Sequence, residues 1–512
     1  MPRDLAYMYN LRRLKRILSK EYKNENFIRG VHDVIERNII VEEAVSGLED
    51  ALLKHEDILL IGHPGDGKTV FLNDFALKVV RGQTERIDIA YVIPLHILNM
   101  ETDFGNPEVL LDFLANKYSS LGLSRDFIAK TLTEKSTLVA LDGLDEIPDP
   151  IIQQRLMGWL SNAKEHFGFG YSYVTSRWDE VDAPKYARGA LEPLDPNQIA
   201  HMFIQLLNNE YIANTIPLQR RRLLTEASEK FFIYLAHEDF QPLFTFPMYI
   251  NLAAAVDGDT SATISSFLKD SIIQYLATLQ RSTPIDKEDA QNIARVQDIM
   301  DYTIYLLSDL AYISHSKGLR SISENEILAM KIWENNTALR HFKQKGWDIP
   351  ALRVLSNHSS FFGISPYSED GAPNYYFTHQ GIQEILVGMK MVEEYNDFRL
   401  SDEEILSRFE NLWWRQPILY MISFLGDIPA KKVIDNLLIY SDKIEKKGTH
   451  SDKLKADRIR ADIYMYAIGK SLYQIVNPLK PYFDAHYSNR LIDRTELRQR
   501  CDYWIREFVK LS

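Results

Sequence analysis

The eight residues Gly62-His63-Pro64-Gly65-Asp66-Gly67-Lys68-Thr69 constrain this chain more than any other stretch. They match the spacing G-x-x-x-x-G-K-[ST], in which glycines let the backbone curl until successive N–H groups point at one anion. The apolar run Asp57–Gly62 leads into the loop, and the amphipathic stretch Thr69–Val80 leads out of it. Strand, loop and helix in that order aim the positive end of a helix dipole at the same anion. The expected ligand is ATP or ADP with Mg²⁺. The backbone of Gly62, His63, Pro64, Gly65, Asp66 and Gly67 would cradle the phosphates. Lys68 would reach the β- and γ-phosphates, and the Thr69 hydroxyl would ligate the metal.

Such a loop also needs an acid on a neighbouring strand to hold the metal. Leu138-Val139-Ala140-Leu141-Asp142 supplies one, followed by Gly143-Leu144-Asp145-Glu146. Asp142 ends the strand and is expected to bind Mg²⁺, directly or through water, with Gly143 leaving room beside it. Asp145 and Glu146 put a second carboxylate near the γ-phosphate, able to orient or deprotonate the attacking water. The spacing leaves open which of the two does so. The next apolar run ends in Thr175-Ser176-Arg177, where an arginine at the carboxyl edge can sense the γ-phosphate through charge-assisted hydrogen bonds.

At 512 residues the chain is too long for one core and divides into several packed units. From 57 to about 200, short apolar runs alternate with helical stretches, the pattern of a parallel sheet with helices on both faces, an α/β nucleotide-binding fold. From 196 onward long amphipathic helices take over. Two short aromatic-rich runs within Ser359–Phe377 interrupt them and read as a hairpin. Ser323-x-x-Glu326 reads as a capping box opening a short helix, and Ala351–Asn357 as another helix. Ile382, Ile385, Leu386 and Met389 share one helical face that begins at His379.

Charge is uneven along the chain. Residues 1–40 hold 9 Lys/Arg against 5 Asp/Glu and residues 441–512 hold 15 against 10, leaving 35 against 56 in the middle. An acidic body does not bind nucleic acid through its bulk surface, so any such contact falls to the basic ends. The single cysteine, Cys501, excludes an internal disulfide and a Cys-based metal site and fits a reducing, cytoplasmic compartment. No run of about 18 uncharged apolar residues is present, so membrane spanning is not expected.

Together the phosphate loop, Asp142-Gly143-Leu144-Asp145-Glu146 and Thr175-Ser176-Arg177 resemble the NACHT family of STAND ATPases. Trp178 and Phe246 depart from the proline and asparagine usual at those places. Leu243–Ile250 is similar to the helical-domain segment whose proline, here Pro247, packs on adenine. Phe377–Ile385 resembles the winged-helix signature whose histidine, here His379, touches the β-phosphate of ADP. Leu11, Leu14, Ile17 and Leu18 share one face of a basic helical segment expected at 1–45. The resemblance implies an ATPase core at 46–195, a helical domain at 196–285, a winged-helix domain at 286–395 and an α-helical sensing region at 396–512. It further implies a slow ATPase that rests as an ADP-bound monomer and forms an ATP-bound homo-oligomer on a trigger. The setting would be bacterial anti-phage defence, with a phage component as trigger and a separate effector protein. Two other functions share these parts, an AAA+-type DNA-dependent ATPase with a winged helix and a STAND-class transcription regulator. The acidic middle weighs against the first, and the lack of a clear recognition helix in 400–512 against the second.

Overall fold

The longer strands form where apolar, β-branched or aromatic residues run for five or six positions and are then cut by Gly, Pro or charge. The computed structural model of the chain describes residues 5–28, 37–41, 44–95, 104–177, 183–207, 215–236, 238–255, 267–272, 300–330, 340, 344, 352–353, 356, 362–365, 372–377, 379–487, 490 and 492–510. Seven strands make the first sheet: β1 (Ile39–Val41), β2 (Ala44–Ser46), β3 (Asp57–Ile61), β4 (Ile89–Pro94), β5 (Thr137–Asp142), β6 (Tyr171–Ser176) and β7 (Ala187–Leu191). Their order is β2-β1-β7-β3-β6-β5-β4. All pairings from β7 to β4 are parallel, and β1 joins β7 and β2 antiparallel. This is the mostly parallel, helix-covered sheet of a phosphate-loop NTPase. β3 and β5 are buried nearly throughout because helices cover both faces.

Order decides where the chemistry falls. β6 lies between β3 and β5, so the carboxyl ends that carry the phosphate loop, Arg177 and Asp142 emerge side by side on one edge. In open α/β sheets that edge is where ligands bind.

The helix Leu5–Ile28 belongs to the same unit, Met1–Glu192. Tyr7, Leu11, Leu14, Leu18 and Tyr22 enter the core that the strands build. β4 is the edge strand, and half of its backbone groups have no partner strand. The Tyr22 hydroxyl takes that place: it donates to the Ala90 carbonyl at 2.6 Å and accepts from the Val92 N–H at 3.2 Å. A buried backbone group left unmet there would cost about 1–3 kcal/mol.

The second unit, Pro193–Ser512, is mainly helical. Its small antiparallel sheet has the order β8-β10-β9, with β8 (Ser321–Ser323), β9 (Phe362–Ser365) and β10 (Asn374–Phe377). β9 and β10 are the arms of the expected hairpin, paired from Phe362↔Phe377 to Ser365↔Asn374. Ser323 caps the helix Glu324–Ala329 by accepting from the Glu326 N–H at 3.2 Å. Most of the helix expected at Ala351–Asn357 lies outside the described residues. The helix Gln380–Asn396 packs on Met300–Ser316 and Leu412–Phe424. Gly388 permits the second contact, since a Cβ there would come within 2.8 Å of the Tyr420 Cβ and 2.9 Å of the Pro417 carbonyl. The C-terminal helix Arg494–Lys510 returns to Pro196–Leu207, where Trp504 stacks on His201 at 3.9 Å and donates to Asn197 at 3.1 Å.

Candidate functional site

The phosphate loop bends as its glycines dictate. Gly65 and Gly67 sit at φ 83° and 82°, a region where L side chains are strained, and Gly67 is the residue from which the helix Lys68–Val80 starts. The Gly62 N–H donates to the Ser176 carbonyl at 3.1 Å, which ties the start of the loop to the end of β6. Lys68 Nζ donates back to the Gly62 and His63 carbonyls at 2.7 and 3.1 Å. Burial lowers the pKa of its ammonium, while Asp145, Asp66 and Asp142 work in the opposite direction. The lysine is thus held by the loop it serves, with carboxylates that oppose the effect of burial on its charge.

Asp142 is buried at the end of β5. Thr175 on β6 fixes it: the hydroxyl donates to Asp142 Oδ1 at 2.6 Å and accepts the Gly143 N–H at 2.7 Å. One threonine therefore sets both the carboxylate's rotamer and the turn behind it. Sequence reading placed Thr175 in the sensor strand without this role. Gly143 has φ 85°, and a Cβ on it would meet Glu146 Cδ at 2.7 Å and Cγ at 2.9 Å. The room it leaves belongs to Glu146.

Arg177 and Asp145 form a buried ion pair, Nε to Oδ2 at 2.8 Å. Burial raises the Asp145 pKa, and Arg177 and then Lys68 pull it back. Removing one partner of such a pair leaves an uncompensated charge and costs about 3–5 kcal/mol. Asp142, Asp145, Glu146, Arg177 and the loop 62–69 are therefore all borne by one sheet edge. Trp178 lies outside the described residues.

Arg37 is a residue of this site that no motif announces. Its guanidinium donates to the Asp66 carbonyl in the loop and to the Glu192 carbonyl beyond β7. It stands 25 residues before Gly62 and acts on carbonyls, which carry no side-chain signature.

Pro247 and His379 sit in the second unit, and the structure brings their segments together. Pro247 opens the helix Pro247–Ala255, and His379 is the residue before Gln380–Asn396. Met248 packs so closely on Gly381 that a Cβ there would lie 2.7 Å from its sulfur. Around Pro247, Arg490 donates to Thr245 Oγ1 at 3.1 Å and lies 4.2 Å over the Phe246 ring. The Tyr249 hydroxyl meets those of Tyr420 and Tyr466 at 3.3 and 3.2 Å. Thr378 of the winged-helix signature lies outside the described residues.

A left-handed glycine loop at a helix start, a lysine within it and a fixed carboxylate on a nearby strand suit a nucleoside triphosphate with Mg²⁺. Among the described residues, no group of three or more His, Cys, Asp or Glu could hold a metal ion alone. Mg²⁺ is commonly held by one or two protein oxygens, its substrate's phosphates and water, and Thr69 and Asp142 would supply those protein oxygens.

The first unit is thus a P-loop NTPase domain. Residues 56–210 match the NACHT domain family. No curated protein matches the chain. Among solved structures, Cdc6p from Pyrobaculum aerophilum is 12% identical with a TM-score of 0.25, covering 71% of this chain and 98% of its own. The Aeropyrum pernix Orc1 protein, solved in complex with DNA, is 15% identical with a TM-score of 0.23, covering 67% of this chain and 90% of its own. Superpositions this loose say nothing about function. Among the described residues, no helix is long and apolar enough to cross a membrane.

Proposed function

We propose that the chain is a nucleotide-gated signalling switch: an ADP-bound, autoinhibited monomer that a trigger converts to an ATP-bound homo-oligomer, hydrolysing ATP slowly. The buried Arg177–Asp145 pair carries this reading. A γ-phosphate and the Asp145 carboxylate are competing partners for one guanidinium, so the nucleotide's state changes which anion Arg177 holds. Such a residue biases an equilibrium between two states.

In this reading the phosphate loop binds the β- and γ-phosphates, with Lys68 as the cation among them. Thr69 and Asp142 would hold Mg²⁺, which neutralises charge on the transferred phosphoryl group when bound. Glu146 is assigned to orient the attacking water, with Asp145, held by Arg177 when no γ-phosphate competes for it, as the alternative. Pro247 packs on adenine, and His379 donates to the β-phosphate in the resting state. The 196–285 region acts as helical domain, 286–395 as winged-helix domain and 396–512 as sensing region. The biological setting proposed is bacterial anti-phage defence, with a phage component as trigger and a separate effector protein.

His379→Ala tests this reading. A hydrogen bond to a charged group is worth about 1.5–3 kcal/mol, so its loss shifts a closed-to-open equilibrium by roughly 10- to 150-fold. The variant is expected to release ADP faster and to self-associate without a trigger on size exclusion. An ADP off-rate and elution volume both equal to wild type would remove His379 from the switch.

A further inference from the structure

The two basic ends of the chain fare differently in the fold. Near the C-terminus several cations are neutralised locally. Arg498 pairs with Glu229 at 2.5 Å, Arg500 with Glu496 at 3.3 Å and Lys510 with Glu507 at 2.8 Å. Arg460 pairs with Asp442 and Glu445 at 2.7 and 2.6 Å. Five cations of the helix Leu5–Ile28 differ. Arg12, Arg13, Arg16, Lys20 and Lys23 are all exposed, and none makes a side-chain hydrogen bond or ion pair to a described residue. Arg13 lies over Gly122.

Helical geometry collects these five on one stripe. At 100° per residue they fall within an arc of about 100°, opposite the buried Leu11, Leu14, Leu18 and Tyr22. The described acid of the helix, Glu21, lies off the stripe and is taken by Lys117 at 2.5 Å. Because the apolar face is locked into the core, with Leu14 and Leu18 fully buried, the cations are presented on a rigid support. The same fact removes the face with which an amphipathic helix would enter a membrane interface.

We infer that the exposed face of the helix Leu5–Ile28 is a binding site for the phosphate backbone of a nucleic-acid duplex. From Arg12 to Lys23 the stripe is about 16 Å long at 1.5 Å per residue. Over that rise one strand of a duplex carries about five phosphates, one for each cation. Contacts of this kind read no sequence. The acidic middle of the chain, 35 Lys/Arg against 56 Asp/Glu, repels the same polyanion.

Fluorescence anisotropy of the full chain with a labelled DNA duplex of about 20 base pairs, and a matched RNA duplex, tests the site. Five phosphate contacts give a slope of log affinity against log salt of about −4.5, a loss of about 500-fold between 50 and 200 mM salt. Exchanging Arg12, Arg16 and Lys20 together for glutamine should reduce the slope to about −1.8 and that loss to about 12-fold. These side chains are exposed, so the variant should keep its thermal midpoint. Arg500→Gln with Lys510→Gln should leave binding unchanged. Binding of either duplex with these slopes supports the site, and the stronger one names the nucleic acid. No binding at 50 mM salt would overturn it, as would a triple variant that binds like wild type. It would equally fall if polyglutamate, or vesicles of equal parts phosphatidylserine and phosphatidylcholine, bound through the stripe while neither duplex did.

Discussion

Lys68→Ala is expected to weaken both ATP and ADP binding by about 100-fold or more, and to abolish any output that depends on the nucleotide. The lysine is the cation placed within the loop, and charge-assisted contacts to two phosphates are worth about 1.5–3 kcal/mol each. Their joint loss is about 3–6 kcal/mol, which is two to four decades in affinity at about 1.4 kcal/mol per decade. The variant also removes a compensating charge from Asp145 and Asp66. Isothermal titration reads the effect directly. An ATP affinity within about threefold of wild type, under one kcal/mol, would contradict the phosphate-loop assignment.

Glu146→Gln should behave in the opposite way. Binding is retained within about threefold, while hydrolysis falls by about 10²–10⁴, the usual contribution of a positioned general base. The result is a trapped ATP state. Asp145→Asn separates the two carboxylates, because it takes the charge from a buried partner of Arg177 and should lower stability by about 3–5 kcal/mol. Single-turnover hydrolysis and thermal midpoints of both variants decide the matter. Wild-type hydrolysis in Glu146→Gln, with hydrolysis lost but stability kept in Asp145→Asn, would move the water-positioning role to Asp145.

Much of this site was legible before any coordinates. The loop 62–69 follows an apolar run and opens a helical stretch, the context its spacing requires, and β3, β5 and β6 are apolar runs bounded by turn residues, so Asp142 and Arg177 fell at strand ends. What the sequence could not disclose depends on partners distant along the chain. Arg37 acts on the Asp66 and Glu192 carbonyls, and Thr175 on an aspartate 33 residues earlier. β1, β2 and β8 have three residues each, too few for alternation to register. Leu11, Leu14, Ile17 and Leu18 mark the inward face of the first helix by their spacing. Tyr7 and Tyr22 join it only in the fold, because a tyrosine serves either side of a helix. Only the fold shows Tyr22 closing the edge of β4. Likewise Arg490 and Tyr466 carry no motif, yet they hold the residues on either side of Pro247.

The central claim is that bound nucleotide stores a state rather than driving continuous work. Mass spectrometry of the nucleotide released from freshly purified, denatured protein tests it most directly. A resting switch yields ADP in stoichiometric amount, retained through purification. A chain that purifies without nucleotide and turns over ATP steadily from the first cycle would contradict the account.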